Sequence, residues 1–249
     1  SIEVPLEMDS KEITLIDTAG MRRKRSIKEE TEKFSVSKSV ESIKKANVVI
    51  LLLDSSESIV DQDIHLLGLT LTIGRPVIIA ANKIDLLDKD KKLELENNIK
   101  RKTRFAQYLE PHFISAIKGT GVRKLLKKAQ KAYNTSIKEL DTSILNKVLK
   151  EAVFNQQPSM SGRFRPKLRY AHAGGKNPPK IVIHGNNLKE LKESYTKYLE
   201  NFFRKKLNLG ETPLTILYKE QTNPFKNKPN KLTERQLKKR KRIVKRRKK

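Results

Sequence analysis

Short apolar runs alternate along the first half of the chain with longer stretches in which apolar residues recur every three or four positions. The runs are ITLID (13–17), NVVILLLD (47–54), PVIIAANKID (76–85) and HFISA (112–116), and each reads as a buried strand. Helical spacing covers 34–46, 61–73, 89–108 and 121–133, and in the last of these Val122, Leu125, Leu126 and Ala129 form the core-facing stripe. Strands alternating with helices predict an α/β domain over 1–136, its parallel sheet covered on both faces.

Past Ser136 the pattern changes. It predicts a helix over 143–154, strands over 167–173 and 180–184 with GGKNPP as the turn, a helix near 191–207 and a final strand over 213–219. Leu191, Tyr195, Tyr198, Leu199 and Phe202 share one face of the second helix, which stops before Gly210. The result is a small α+β domain, 137–222, of order α-β-β-α-β. Residues 223–249 are polar and then strongly basic, and a tail disordered on its own is expected.

Composition narrows the function. The formal charge is +27, and a surface so basic attracts polyanions by counterion release, so nucleic acid is the leading partner. An AT-rich genome would supply part of the lysine excess with no functional demand behind it. There is no cysteine, and His65, His112, His172 and His184 are too scattered for a recognisable ligand set, so no zinc is expected. No apolar run approaches the roughly 20 residues of a membrane helix, so no membrane partner is expected and the cytosol is the default location.

The chemistry is sought just past the strands, because a nucleotide on such a sheet lies at the carboxyl ends of its strands. Asp17-Thr18-Ala19-Gly20 follows the first run: a carboxylate there can hold a Mg²⁺-bound water, and Gly20 can offer its N–H to a terminal phosphate. A loop aspartate capping a helix fits those four residues equally well. Asn82-Lys83-Ile84-Asp85 closes the third run. The Asp85 carboxylate can accept from the N1–H and exocyclic amine of guanine, a donor pair adenine lacks, while Lys83 lies along the base plane. Ser115-Ala116 ends the fourth run, where a backbone N–H can meet guanine O6. A wrong base leaves buried polar groups unpaired, which makes such discrimination strong. Asn82 follows Asp17 by 65 residues and Ser115 follows Asn82 by 33, each at the end of an apolar run.

DTAG, NKID and SA resemble the third, fourth and fifth guanine-nucleotide motifs of the translation-factor-like GTPases. KFSVSKSVESIKKANVVILLLDSSESIVDQD, YAHAGGKNPPKIVIHGN, SYTKYLENFFRKKL and LTERQLKKRKR narrow the resemblance to the Der (EngA) family of bacterial GTPases, which carry two tandem G domains and a C-terminal KH-like domain. The resemblance spans essentially the whole chain. It implies a P-loop-NTPase-type G domain followed by the KH-like domain, GTP/GDP and Mg²⁺ as cofactors, a monomer, and GTP-dependent binding to ribosomal RNA in assembly of the large ribosomal subunit. Met21 stands where Ras-like enzymes carry a water-orienting glutamine. The family uses a hydrophobic residue there, with help from a potassium ion; a plain core contact for Met21 stays open.

One departure is large. No G-x-x-x-x-G-K-[ST] occurs in the 249 residues, so the loop that cradles phosphates is absent from them, as is the first-switch threonine. The expectation is a fragment beginning after the first switch of the second G domain, inactive in GTP hydrolysis by itself. The alternative is an RNA-binding or structural module that keeps an inactive G-domain remnant as scaffold.

The remaining candidates are basic. Arg22, Arg23, Lys24 and Arg25 follow the D-x-x-G and are either a solvated face or an RNA contact made in one nucleotide state. Arg163, Arg165, Lys167 and Arg169 alternate into a strand, which can gather cations on one face and leave Phe164, Leu168 and Tyr170 for other contacts. Phosphate binding is the first reading of that face and docking against the G domains the second. His172 and His184 read as core or turn residues. The G-x-x-G clamp of KH folds is missing, since Gly174-Gly175 and Gly185 lack its spacing. From Lys226 to Lys249 there are fourteen Lys/Arg and one acid, Glu234; Lys238, Lys239, Arg240, Lys241 and Arg242 are its candidate RNA contacts. If that tail meets six to ten phosphates, affinity falls about 10³- to 10⁵-fold between 50 and 200 mM salt.

Overall fold

A computed structural model describes residues 2–9, 11–17, 40–57, 59–160, 164–220, 233–236 and 238. Strands β1 (Ile2–Met8) and β2 (Lys11–Asp17) form an antiparallel hairpin. Helical residues 40–45 (α1) precede β3 (Val49–Asp54), α2 (Asp61–Ile73), β4 (Val77–Asn82), α3 (Lys89–Lys102), β5 (His112–Phe113) and α4 (Val122–Ile137). Strands β3, β4 and β5 make a parallel sheet with β4 in the centre. The second half runs α5 (Thr142–Asn155), β6 (Lys167–Gly175), β7 (Lys180–Asn186), α6 (Glu193–Leu207) and β8 (Thr215–Glu220), the order the sequence predicts.

The parallel sheet explains the apolar runs only in part. From Val77 to Ala81, β4 is wholly buried, with helices on both sides: Ile79, Leu67, Leu95 and Ile99 pack in one cluster, Ile78, Ala80 and Leu125 in the other. At the edge of the described sheet, β3 leaves Leu52 52% exposed. ITLID is not a buried member of the parallel sheet. It pairs with IEVPLEM, a strand the run pattern does not announce, and Leu15 and Val4 stay 41% and 48% exposed. The tight turn at Asp9 (φ 49°) supplies β2 with an antiparallel partner at once, and Arg123 and Lys127 of α4 reach the Asp9 carboxylate at 3.3 and 3.9 Å.

Local chemistry sets the helix ends. Asp88 caps α3 by accepting from Lys91 N at 2.8 Å, and Thr103 closes it by donating to Ile99 O, so the helix stops well before Tyr108. Gly121 opens α4 at φ 78°, and a Cβ there would sit 2.7 Å from Phe113 O. Only glycine meets both demands.

In the second half, α5 and α6 cover one face of the mixed β6-β7-β8 sheet, burying Leu145, Leu149, Leu199 and Phe203 against Ala171, Ile181, Ile183 and Ile216. Strand β6 runs on through Gly174 and Gly175, so the turn is Lys176 to Pro179, with a cis Asn177–Pro178 bond, rather than the whole of GGKNPP. The two halves touch. Arg204 lies over the Tyr108 ring, its guanidinium 3.2 Å from the centroid, and Lys128 pairs with Glu211 at 2.8 Å.

Candidate functional site

The loops that leave β3, β4 and β5 converge at one end of the parallel sheet. In-register pairing sets Asp54 beside Asn82, and β5 delivers Ser115 and Ala116 to the same end. Ile114 N bonds Ala81 O at 2.8 Å and Ile84 N bonds Ile114 O at 3.2 Å, so the third loop is fixed to the second by backbone alone.

Side chains finish the junction. Asn82 Oδ1 accepts from Ala116 N at 2.9 Å. Ser115 is 1% exposed, pairs with Thr120 in an isolated bridge and accepts from Lys118 N at 3.2 Å. A hydrogen bond from Ser115 holds the Asp85 carboxyl below its ordinary value, with the Lys118 charge adding to it. Asp85 is therefore an anion at neutral pH with its acceptor oxygens oriented. Lys83 adopts the left-handed region (φ 67°), which turns the chain between Asn82 and Asp85.

Asp54 joins this cluster and sequence reasoning missed it. Lys83 Nζ lies 2.7 Å from one of its oxygens, while Ser56 N and Oγ donate to the other at 3.0 and 2.6 Å. Burial pulls its pKa upward, but the hydrogen bonds from Lys83 and Ser56, with the ammonium charge, outweigh that and bring it down to about 2. The ion pair fixes the Lys83 stem. The available signal was Asp54-Ser55-Ser56 closing an apolar run just as NKID closes the next.

The structure thus brings Asn82, Lys83, Asp85, Ser115 and Ala116 together. The Ala116 N–H, expected to face a base, is spent on Asn82 Oδ1, so a base oxygen there would have to share or replace that bond. Asp17 is not gathered into this cluster by a shared sheet; its backbone closes β2 opposite Ile2. Thr18, Ala19, Gly20, Met21, Arg22 and Arg23 lie outside the described residues, as do Arg163, Lys239, Arg240, Lys241 and Arg242. Lys238 is described and exposed. Among the described residues no three His, Cys, Asp or Glu side chains form a metal cluster, and no helix is long and apolar enough to cross a membrane.

The expected cation row on β6 is altered. A bulge between Leu168 and Tyr170 makes Arg169 an extra residue, which donates from Nε to Asn186 Oδ1 at 2.8 Å. Simple alternation therefore fails after Leu168. Arg165 turns to Gln157 instead. His172 and His184 are neither core nor turn: both are half-buried on strands, with their Nε2 atoms 3.0 Å apart. His172 Nδ1 lies 2.8 Å from Ala173 O, so it carries a proton, and its Nε2 accepts from His184 Nε2–H.

Residues 1–135 match the family described as "Elongation factor Tu GTP binding domain", and residues 139–219 match "KH-domain-like of EngA bacterial GTPase enzymes, C-terminal". The chain is 48% identical over 98% of its length to GTPase Der of Teredinibacter turnerae, covering 53% of that protein. It is 46% identical over 98% of its length to GTPase Der of Tolumonas auensis, covering 49% of it. The chain therefore spans about half the length of the relatives it matches. Among solved structures, Era in complex with MgGDPNP and nucleotides 1506–1542 of 16S ribosomal RNA aligns over 91% of this chain and 82% of that one, at 20% identity and a TM-score of 0.44, too loose a likeness to carry an argument.

Proposed function

We propose a function from one premise: the chain belongs to the family of GTP-binding domains matched by residues 1–135, and its homologues are the Der (EngA) GTPases. On this reading residues 1–136 are a guanine-nucleotide domain, 137–222 a KH-like domain and 223–249 a basic extension. The complete protein hydrolyses GTP and acts on ribosomal RNA during assembly of the large ribosomal subunit.

The observation that carries the proposal is the fastened junction of Asn82-to-Asp85 with Ser115-Ala116. Asp85 would accept from guanine N1–H and the exocyclic amine, Lys83 would lie along the base, and Ala116 N would meet O6. Asp17 would hold a Mg²⁺-bound water, with Thr18, Ala19, Gly20 and Met21 facing the terminal phosphate. These residues fit GTP or GDP with Mg²⁺; a potassium ion belongs to the same proposal through the family. Arg22, Arg23, Arg165, Lys167, Arg169 and the tail cations would meet phosphates of RNA.

Titrations followed through the backbone amides of Asn82 to Asp85 and Ala116 test the base site. GDP is expected to shift them, ADP to leave them unmoved, and Asp85→Asn to exchange guanine for xanthine preference by on the order of a hundredfold, because an amide donor meets the extra carbonyl of xanthine. Equal shifts with GDP and ADP would sink the proposal.

A further inference from the structure

The two faces of the β6-β7-β8 sheet differ in character. Ala171, Ile181, Ile183 and Ile216 point into the core, so by alternation Tyr170, His172, Val182, His184, Leu217 and Lys219 share the other face. Neither α5 nor α6 covers that side: Tyr170 and Leu217 are each 44% exposed and Lys219 is exposed, around a buried Val182 and the half-buried histidines.

Three rings cluster there. The centroids of His172 and His184 are 5.1 Å apart, and those of Tyr170 lie 5.9 and 6.0 Å from them. The hydrogen bond between the two Nε2 atoms ties the imidazoles together. Lys167, opposite Asn186, and the bulged Arg169, bonded to Asn186, add cations at one end of the ring cluster, with Lys180 and Lys219 on the same face. No acidic residue occupies a strand position of this face.

We propose that this open face is a stacking platform for single-stranded RNA, in which bases lie on Tyr170 and the histidine pair while Lys167, Arg169 and Lys219 meet the flanking phosphates. Every base has a π-face, so such a platform binds without a G-x-x-G clamp and with little sequence preference. A face whose charged strand positions are all cations, set around aromatic rings, matches a polyanion that carries flat bases better than it matches a protein surface of mixed charge. The inference rests on the RNA-binding part of the function proposed above.

Fluorescence anisotropy of a labelled oligouridine RNA against the full 249-residue chain, across a salt series, separates the terms. Tyr170→Ala is expected to weaken binding about fivefold or more with the salt slope unchanged, and Tyr170→Phe to retain it. Lys167→Ala and Arg169→Ala are each expected to lower the slope by about 0.7. His184→Gln is a second test of the ring cluster should Tyr170→Ala fail to fold.

If the parent chain binds RNA and neither Tyr170→Ala nor His184→Gln weakens it, the platform is overturned while RNA binding stands. A loss of slope in Tyr170→Ala, or an equal loss of affinity for polyphosphate, marks a plain anion surface and also overturns it. A parent chain that binds no oligouridine at low salt overturns the RNA-binding reading itself.

Discussion

In the β3-β4-β5 sheet the central strand is buried on both faces, and the candidate site lies in the loops past the strand ends. In the β6-β7-β8 sheet one face is buried, and polar and aromatic groups spread along the strands of the other. The difference follows from connectivity. Parallel strands need helical crossovers that cover both faces, so only their ends stay open. The second sheet has its helices packed on one side, which leaves Tyr170, Leu217 and Lys219 of the other face exposed to solvent.

Independent cores would make this comparison sharp, and the largest test is Phe203→Ala. Phe203 is fully buried in the second core, so the change is expected to cost about 3–5 kcal/mol, measured by thermal unfolding. Guanine-responsive amide shifts in the first half should survive it at low temperature. Their loss would mean the two halves fold as one unit.

Arg204→Met probes the contact between halves. Arg204 is 6% exposed, donates to the carbonyls of Gly210 and Thr212 and covers Tyr108. Its removal leaves two acceptors unpaired, for an expected loss of about 1–3 kcal/mol in denaturant titration. A neutral result would show that water replaces the guanidinium at little cost.

The smallest effect is acid-dependent and confined to the first half. Asp54 has a folded pKa of about 2 against an ordinary 3.8, so the stability it contributes is full above that ordinary value and is lost as pH falls through about 2. Asp54→Asn should flatten that part of the acid-unfolding profile by about 1 kcal/mol. A parallel profile would show that Lys83 pairs as well in the unfolded chain.

The order of elements was legible because hydrophobic period depends on local sequence: VIIAA is apolar at every position and buried, while α2 and α5 fall within a residue of their expected spans. That NKID and SA share one end of the sheet was legible because each follows an apolar run of a parallel strand. ITLID misled, since an apolar run does not say which partner it pairs with, and the antiparallel strand IEVPLEM lay only a turn away. Asp54 was passed over because its role needs Lys83 at 2.7 Å, and Asp54 and Lys83 meet only when β3 and β4 align in register.

What the sequence determined by itself is the succession of strands and helices, the loops that hold the guanine-type motif and the excess of positive charge. All of these depend on residues near one another in the chain. Tertiary structure decided which groups meet across strands: Asn82 with Ala116, Arg204 with Tyr108, and His172 with His184. The bulged residue Arg169 changed the faces of Tyr170 to Ala173, up to the next register shift on β6, because strand faces alternate with period two and one inserted position reverses them.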